Sequence, residues 1–239
     1  MKKIFLSKEN VSKEEKHINL DERKMIRAQL EKLMALSSRD FAHYQISLDP
    51  IKGKISKDEK VEIIENSILC GKEEAKKLRN QFGDLEVSEI AKNLGIIIEH
   101  NAKQSALDFV YFGFFETPNN IFIFDSNIKQ AEALLEELNM NDFPVDFKDV
   151  VLAHEIFHFI EEENKSLYTN TRKIKLWSLG KIYTHKSKLR CTGEIAAMSF
   201  ARTLLNLNLN PSILDYIFVA AFDFEKADEL FRRIIKSTI

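Results

Sequence analysis

Apolar positions along the chain recur first at helical and then at strand spacing. Within LDERKMIRAQLEKLMAL, Leu20, Ile26, Leu30 and Leu33 share one helical face, and Asp21 and Glu22 suit a first turn. The stretch SLDPIKGKIS interrupts this pattern with Pro50 and Gly53. Ser56 and Glu59 then make a capping box for the next helix. Val61, Ile64 and Ile68 give that helix an apolar stripe, which Ala75, Leu78 and Phe82 continue past Gly71 until Gly83 stops it. VSEIAKNLG predicts a short helix closed by Gly95, and the β-branched run Ile96, Ile97 and Ile98 predicts a strand behind it. ALDFVYFGFFE and IFIFD, separated by TPNN, read as two strands of a hairpin. From Ile128 onward the pattern is mostly helical.

These elements predict an α+β fold, mainly helical, with a small sheet of about three strands. The Pro50–Gly53 break divides it into an N-terminal helical appendage, residues 1–55, and a main domain, residues 56–239. Lys+Arg 35 against Asp+Glu 37 leaves a net charge of −2, so no global field points to nucleic acid. VSEIAKNLGI has the look of the first helix of a helix-turn-helix, but a strand follows it where a recognition helix would be needed. No direct nucleic-acid binding is expected. The opening MKKIFLSKEN sets only three apolar residues before Ser7, too few for a signal-peptide core, and no apolar run approaches bilayer length. Cys70 and Cys191 are too few for a disulfide framework. A cytoplasmic protein without a membrane partner is the expectation.

One segment carries chemistry. DVVLAHEIFHFIEEE places His154 and His158 four residues apart in apolar surroundings. On a helix such a pair lies about 40° apart around the axis and about 6 Å along it, so both imidazoles can address one ion. Glu155, about 100° round from His154, can reach a water on that ion without binding it. This is the mechanical content of H-E-x-x-H, two zinc ligands and a general base. A catalytic zinc needs a third protein ligand. Glu161 and Glu162 continue the same helix face and read as a solvated helix end. Glu194 lies 36 residues after His158 and opens the helix GEIAAMSFARTLLNL, whose Ala197 and Ala201 would allow a close approach to the histidine helix. The alternative for Glu194 is a helix N-terminal glutamate held by the dipole.

Together, HEIFH and GEIAAMSFARTLL resemble the ImmA/IrrE group of intracellular zinc metallopeptidases. Softer similarity extends back through VSEIAKNLGIIIEH to EEAKKLRNQFG, so the resemblance spans roughly residues 65–210. It implies a zincin-like domain, Zn2+ held by His154, His158 and Glu194, and Glu155 as the catalytic base. It further implies a specific intracellular protein substrate, commonly a helix-turn-helix repressor. Phe157 stands where members carry glycine, and the segment between the histidines and Glu194 is longer and more basic than usual.

The expected activity is peptide hydrolysis, with zinc polarising the carbonyl and Glu155 moving the proton of the attacking water. Tyr168, Tyr183 and His185 fall between the ligands and are open candidates for an oxyanion donor. Residues 171–190 hold seven Lys/Arg and no acid; they read as a solvated excursion, with a clamp for an acidic partner as the alternative. Cys191 reads as a small buried hydrophobe, and His17, His43 and His100 have no partner spacing. The competing function is a non-catalytic interaction module, metal-stabilised or metal-free.

Overall fold

Side-chain caps set the first helix starts. A computed structural model describes residues 4–5, 18–100, 109–140, 143–179 and 183–238; for residues 4, 5, 109, 179 and 183 it describes the backbone alone. Asn19 with Glu22, Ser37 with Asp40 and Ser56 with Glu59 each close a capping box, and these begin α1 (Leu20–Met34), α2 (Ser38–Leu48) and α3 (Lys57–Phe82). A short strand β1 (Ile4–Phe5) precedes them. Gly83 ends α3 at φ +63°, and Gly95 at φ +76° turns the chain from α4 (Val87–Asn93) into β2 (Ile97–His100). Then come β3 (Phe109–Val110), β4 (Gly113–Glu116), β5 (Asn120–Ile123), α5 (Asp125–Glu137) and α6 (Phe147–Glu163). The chain closes with α7 (Tyr168–Thr171), β6 (Lys173–Leu179), β7 (Tyr183–Lys188), α8 (Cys191–Leu204), α9 (Leu214–Ala220) and α10 (Phe224–Ser237).

The fold is α+β and mostly helical, with a three-stranded sheet of order β2-β5-β4, the first pair parallel and the second antiparallel. The expected hairpin is β4–β5, but ALDFVYFGFFE does not form one strand. Its Phe109 and Val110 instead pair with Phe5 and Ile4 as a separate two-stranded ribbon, and residues 106–108 lie outside the described ones. A second departure is in the basic stretch, where β6 and β7 form an antiparallel pair. On α3, Val61 is 58 % exposed whereas Ile63 is fully buried, so the apolar stripe runs through Ile63, Ile64 and Ile68.

One hydrophobic cluster joins α1, α3, α4, the sheet, α6, α8, α9 and α10; Ile26 and Leu30 of α1 are as buried in it as Val150 and Val151 of α6. Among these helices α8 is the most tightly tied. A Cβ on Gly71 of α3 would fall 2.1 Å from the Ala196 carbonyl oxygen of α8, so the two backbones touch at that point. The Ser199 hydroxyl donates to the Ile68 carbonyl at 2.8 Å. Asp49, buried in the loop after α2, accepts from Arg190 N at 2.8 Å and Cys191 N at 3.0 Å, capping α8 from a distant segment. At the other end, Arg79 of α3 donates to the Leu204 carbonyl through Nε at 2.9 Å and Nη2 at 2.7 Å, a cation where the helix dipole favours one. Gly113 does for β4 what Gly71 does for α8: an added Cβ would lie 2.5 Å from Val151 Cγ1 of α6.

Gly71→Ala is expected to destabilise the protein by about 1–3 kcal/mol through overpacking. Urea unfolding measures this. Asp49→Ala, which uncaps α8, should cost about 1–2 kcal/mol in the same assay.

Candidate metal centre

Helix α6 begins on the Asp146 carboxylate, which accepts from Asp149 N. Its middle turns, residues 150–157, are buried on every side, with Val150, Val151, Ala153, Ile156 and Phe157 all fully buried. His154 is fully buried as well, and Glu155 is 1 % exposed. Phe157 packs its ring against Phe200 of α8, centroids 5.6 Å apart, so this bulky residue fills the joint between the two helices.

One turn apart on α6, His154 and His158 point Nε2 at Nε2 across 3.1 Å. Glu194 reaches them from the first turn of α8: Oε2 lies 3.6 Å from His154 Nε2, and Oε1 lies 3.8 Å from His158 Nε2. Two nitrogens and a carboxylate so arranged form a small triangle of donors that could hold a metal ion. Bond lengths of about 2.0–2.1 Å in a tetrahedral site separate neighbouring donors by about 3.3 Å, close to the edges found here. Nitrogen, nitrogen and oxygen also suit zinc by ligand type. Among the described residues, this is the group with such convergence. The three residues singled out in the sequence are thus brought together, and Glu194 faces the imidazoles.

Glu155 stands beside the triangle. Its Oε2 accepts from Phe115 N at 2.9 Å. Phe115 pairs with Ile121 in the β4–β5 ladder, yet its amide points out of the sheet, so Glu155 docks on the free edge of β4. The clearance at Gly113 makes that docking distance feasible.

Glu161 is the residue that sequence reasoning misplaced. It is not a solvated helix end: its side chain is 13 % exposed, and its Oε2 lies 3.4 Å from His158 Nδ1. Lys188 Nζ donates to Glu161 Oε1 at 3.2 Å and to Asn170 Oδ1 at 2.7 Å. Gly193 of α8 leaves room for the carboxylate, since a Cβ there would lie 3.0 Å from Oε2. Burial would push the Glu161 carboxyl up, but the His158 imidazole and the Lys188 ammonium more than offset it and hold it at about 2. Burial likewise opposes charge on His158, yet Glu161, with Glu194 and Glu155, raises that imidazole above its ordinary value. A proton on Nδ1 shared with Glu161 leaves Nε2 free to face the other donors. The available signal was the i, i+3 spacing of His158 and Glu161; the Lys188 and Gly193 contacts are tertiary.

The centre opens into a cleft of about 360 Å3 lined by Phe114, Phe115, Thr117, Glu155, His158, Glu161, Glu162, Asn170 and Lys188. Neither Tyr168 nor His185 lines it. The Tyr168 hydroxyl donates to Glu62 of α3 at 2.7 Å, and burial with that carboxylate raises its pKa. His185 stacks on Trp177 within the β6–β7 pair, centroids 5.6 Å apart. The side chain of Tyr183 lies outside the described residues. Cys191 is buried in an apolar cluster with Ile174 and Ile195, as expected. His100 pairs with Asp125 at 3.1 Å, away from the centre, and His17 lies outside the described residues.

Glu161→Gln should weaken the affinity of the triangle for added zinc by about 10–100-fold, measured by chelator competition, because the partner that orients His158 loses its charge. Glu161 carries a depressed pKa, so it stabilises the metal-free fold above about pH 4.5. That contribution disappears as the pH falls towards about 2. The stability gap between wild type and Glu161→Gln, followed by urea midpoints, should therefore narrow over that window.

Comparison of the chain with protein-family models, with curated proteins and with solved structures finds no match, so the reading of this centre rests on its own geometry.

Proposed function

We propose that the protein is a zinc-dependent metallopeptidase of zincin-like type, hydrolysing a peptide bond in a specific protein. The observation that carries this is the placement of Glu155 next to the His154–His158–Glu194 triangle, inside a cleft, with its carboxylate on the free edge of β4. A purely structural metal site has no use for a fourth, non-ligating carboxylate at that position, whereas hydrolysis does. Bound at the triangle, zinc would supply Lewis acidity and lower the pKa of a coordinated water.

The chain's own residues account for the rest. Glu155 takes a proton from the attacking water and returns it to the leaving amine. The Phe115 amide fixes one of its oxygens at 2.9 Å. Glu161 holds His158 through Nδ1, so the ligand ring does not rotate. β4 is an edge strand of its sheet and borders the cleft, which favours an extended polypeptide as substrate. Phe114 and Phe115 form an apolar wall, and Asn170 and Lys188 form the polar one. A repressor of the helix-turn-helix class is the substrate type suggested by the ImmA/IrrE resemblance.

Elemental analysis should find about one zinc per chain, the open three-ligand arrangement of a catalytic site. Digestion of a proteome-derived peptide library, followed by mass spectrometry of new termini, should detect cleavage. Glu155→Gln should keep the metal and lower the rate by about 10²–10⁴-fold. Equal cleavage by wild type and Glu155→Gln, or none by either with zinc bound, would replace this reading with that of a metal-stabilised interaction module.

A further inference from the structure

The β6–β7 ribbon puts lysines opposite lysines. In its register Lys173 faces Lys188 and Lys175 faces Lys186. Ile174, paired with Ser187, is 2 % exposed in the apolar cluster beneath, so the neighbouring positions of opposite parity turn to solvent. All four lysines are exposed. The turn Lys52–Lys54 packs beside β6 and adds Lys54, also exposed. Among the described residues, Lys54, Lys173, Lys175 and Lys186 make no ion pair, whereas Lys188 meets Glu161.

Like charges directly across a ladder destabilise it. Protecting an exposed strand edge calls for charge, but not for charge of a single sign. A surface that carries this penalty on both cross-strand pairs, in a chain of net charge −2, is complementary to an anion. Lys188 belongs at once to this row and to the wall of the catalytic cleft, so the row leads away from the proposed reacting bond.

We propose that the lysine face of β6–β7 binds an acidic stretch of the protein substrate, a few residues from the bond that is cut. This rests on the peptidase reading and deepens it by naming the substrate class. Lysines at i and i+2 are spaced about 6.7 Å apart, the repeat of alternate side chains on an extended peptide. Asp or Glu at every second position of such a segment therefore meets one lysine each. A nucleic acid fits less well: its backbone, continued into the cleft, meets the carboxylates of Glu155, Glu161 and Glu162, whereas a polypeptide backbone enters uncharged.

The test uses full-length, zinc-loaded Glu155→Gln protein and fluorescein-labelled probes at low ionic strength, read by anisotropy. The probes are an extended peptide with Glu at alternate positions, its Gln counterpart, and a single-stranded oligodeoxynucleotide. The Glu peptide should bind about tenfold more tightly than the Gln peptide, and the advantage should vanish at high salt. It should also vanish in the Lys175→Gln/Lys186→Gln variant, which relieves a like-charge pair and so does not endanger folding. Equal affinity for the two peptides, an undiminished advantage in the double variant, or tighter binding of the oligonucleotide would overturn the proposal. The two readings fail separately. Cleavage of neutral peptides with no binding preference sinks the docking face and keeps the peptidase. Salt-sensitive binding of the Glu peptide without Glu155-dependent cleavage of any peptide keeps the face and removes the peptidase.

Discussion

Everything at the centre depends on how α8 is held against α6. Two imidazoles on one helix converge by local geometry alone, but a third donor from another helix must arrive at a fixed depth and rotation. Contacts with α3 and with the loop after α2 hold α8 in place, and Phe157 packs it on α6 through Phe200. The bare backbone of Gly71 admits Ala196 to van der Waals limits, Asp49 stops the N-terminus of α8, and Arg79 takes the carbonyl of Leu204 at its other end. With those fixed, the Glu194 carboxylate straddles the two Nε2 atoms at 3.6 and 3.8 Å. Burying such groups is costly unless they are mutually satisfied, and the surrounding apolar packing makes the arrangement rigid.

The charges around the triangle form a chain. Lys188 supports Glu161, Glu161 supports His158, and His158 faces His154 and Glu194. Each link lowers the cost of the next in a poorly solvated setting. Because Lys188 also ends the lysine row of β6–β7, the electrostatics of the centre and those of the outer surface share one residue. The loop holding Asp49, which breaks the helical pattern of the sequence, has a structural task of its own as the cap of α8.

Local rules were legible where a local cause decides the outcome. The Ser56–Glu59 box, the stops at Gly83 and Gly95, the α4-to-β2 turn and the β4–β5 hairpin all follow from residues a few positions apart. Val61 was misassigned because a helix stripe has two plausible edges, and only the neighbouring helices choose Ile63 over Val61. The strand pair of the basic stretch was not legible as a strand pair. Its alternating lysines hide the apolar signal, which comes down to Ile174 settling into a distant cluster.

Helical periodicity is enough to put His154 and His158 on one face with Glu155 beside them, since a 3.6-residue period leaves no other outcome for that spacing. The sequence also offered Glu194 as the distant partner. Packing between distant elements is what turns Glu194 to the imidazoles, rests Glu155 on the edge of β4, and makes Glu161 an inward-facing support instead of a solvated end. Those outcomes depend on how closely separate helices and strands approach, and closeness is set by missing atoms at Gly71, Gly113 and Gly193. A glycine in a sequence announces freedom; what it makes room for is known only once the opposing surface is in place.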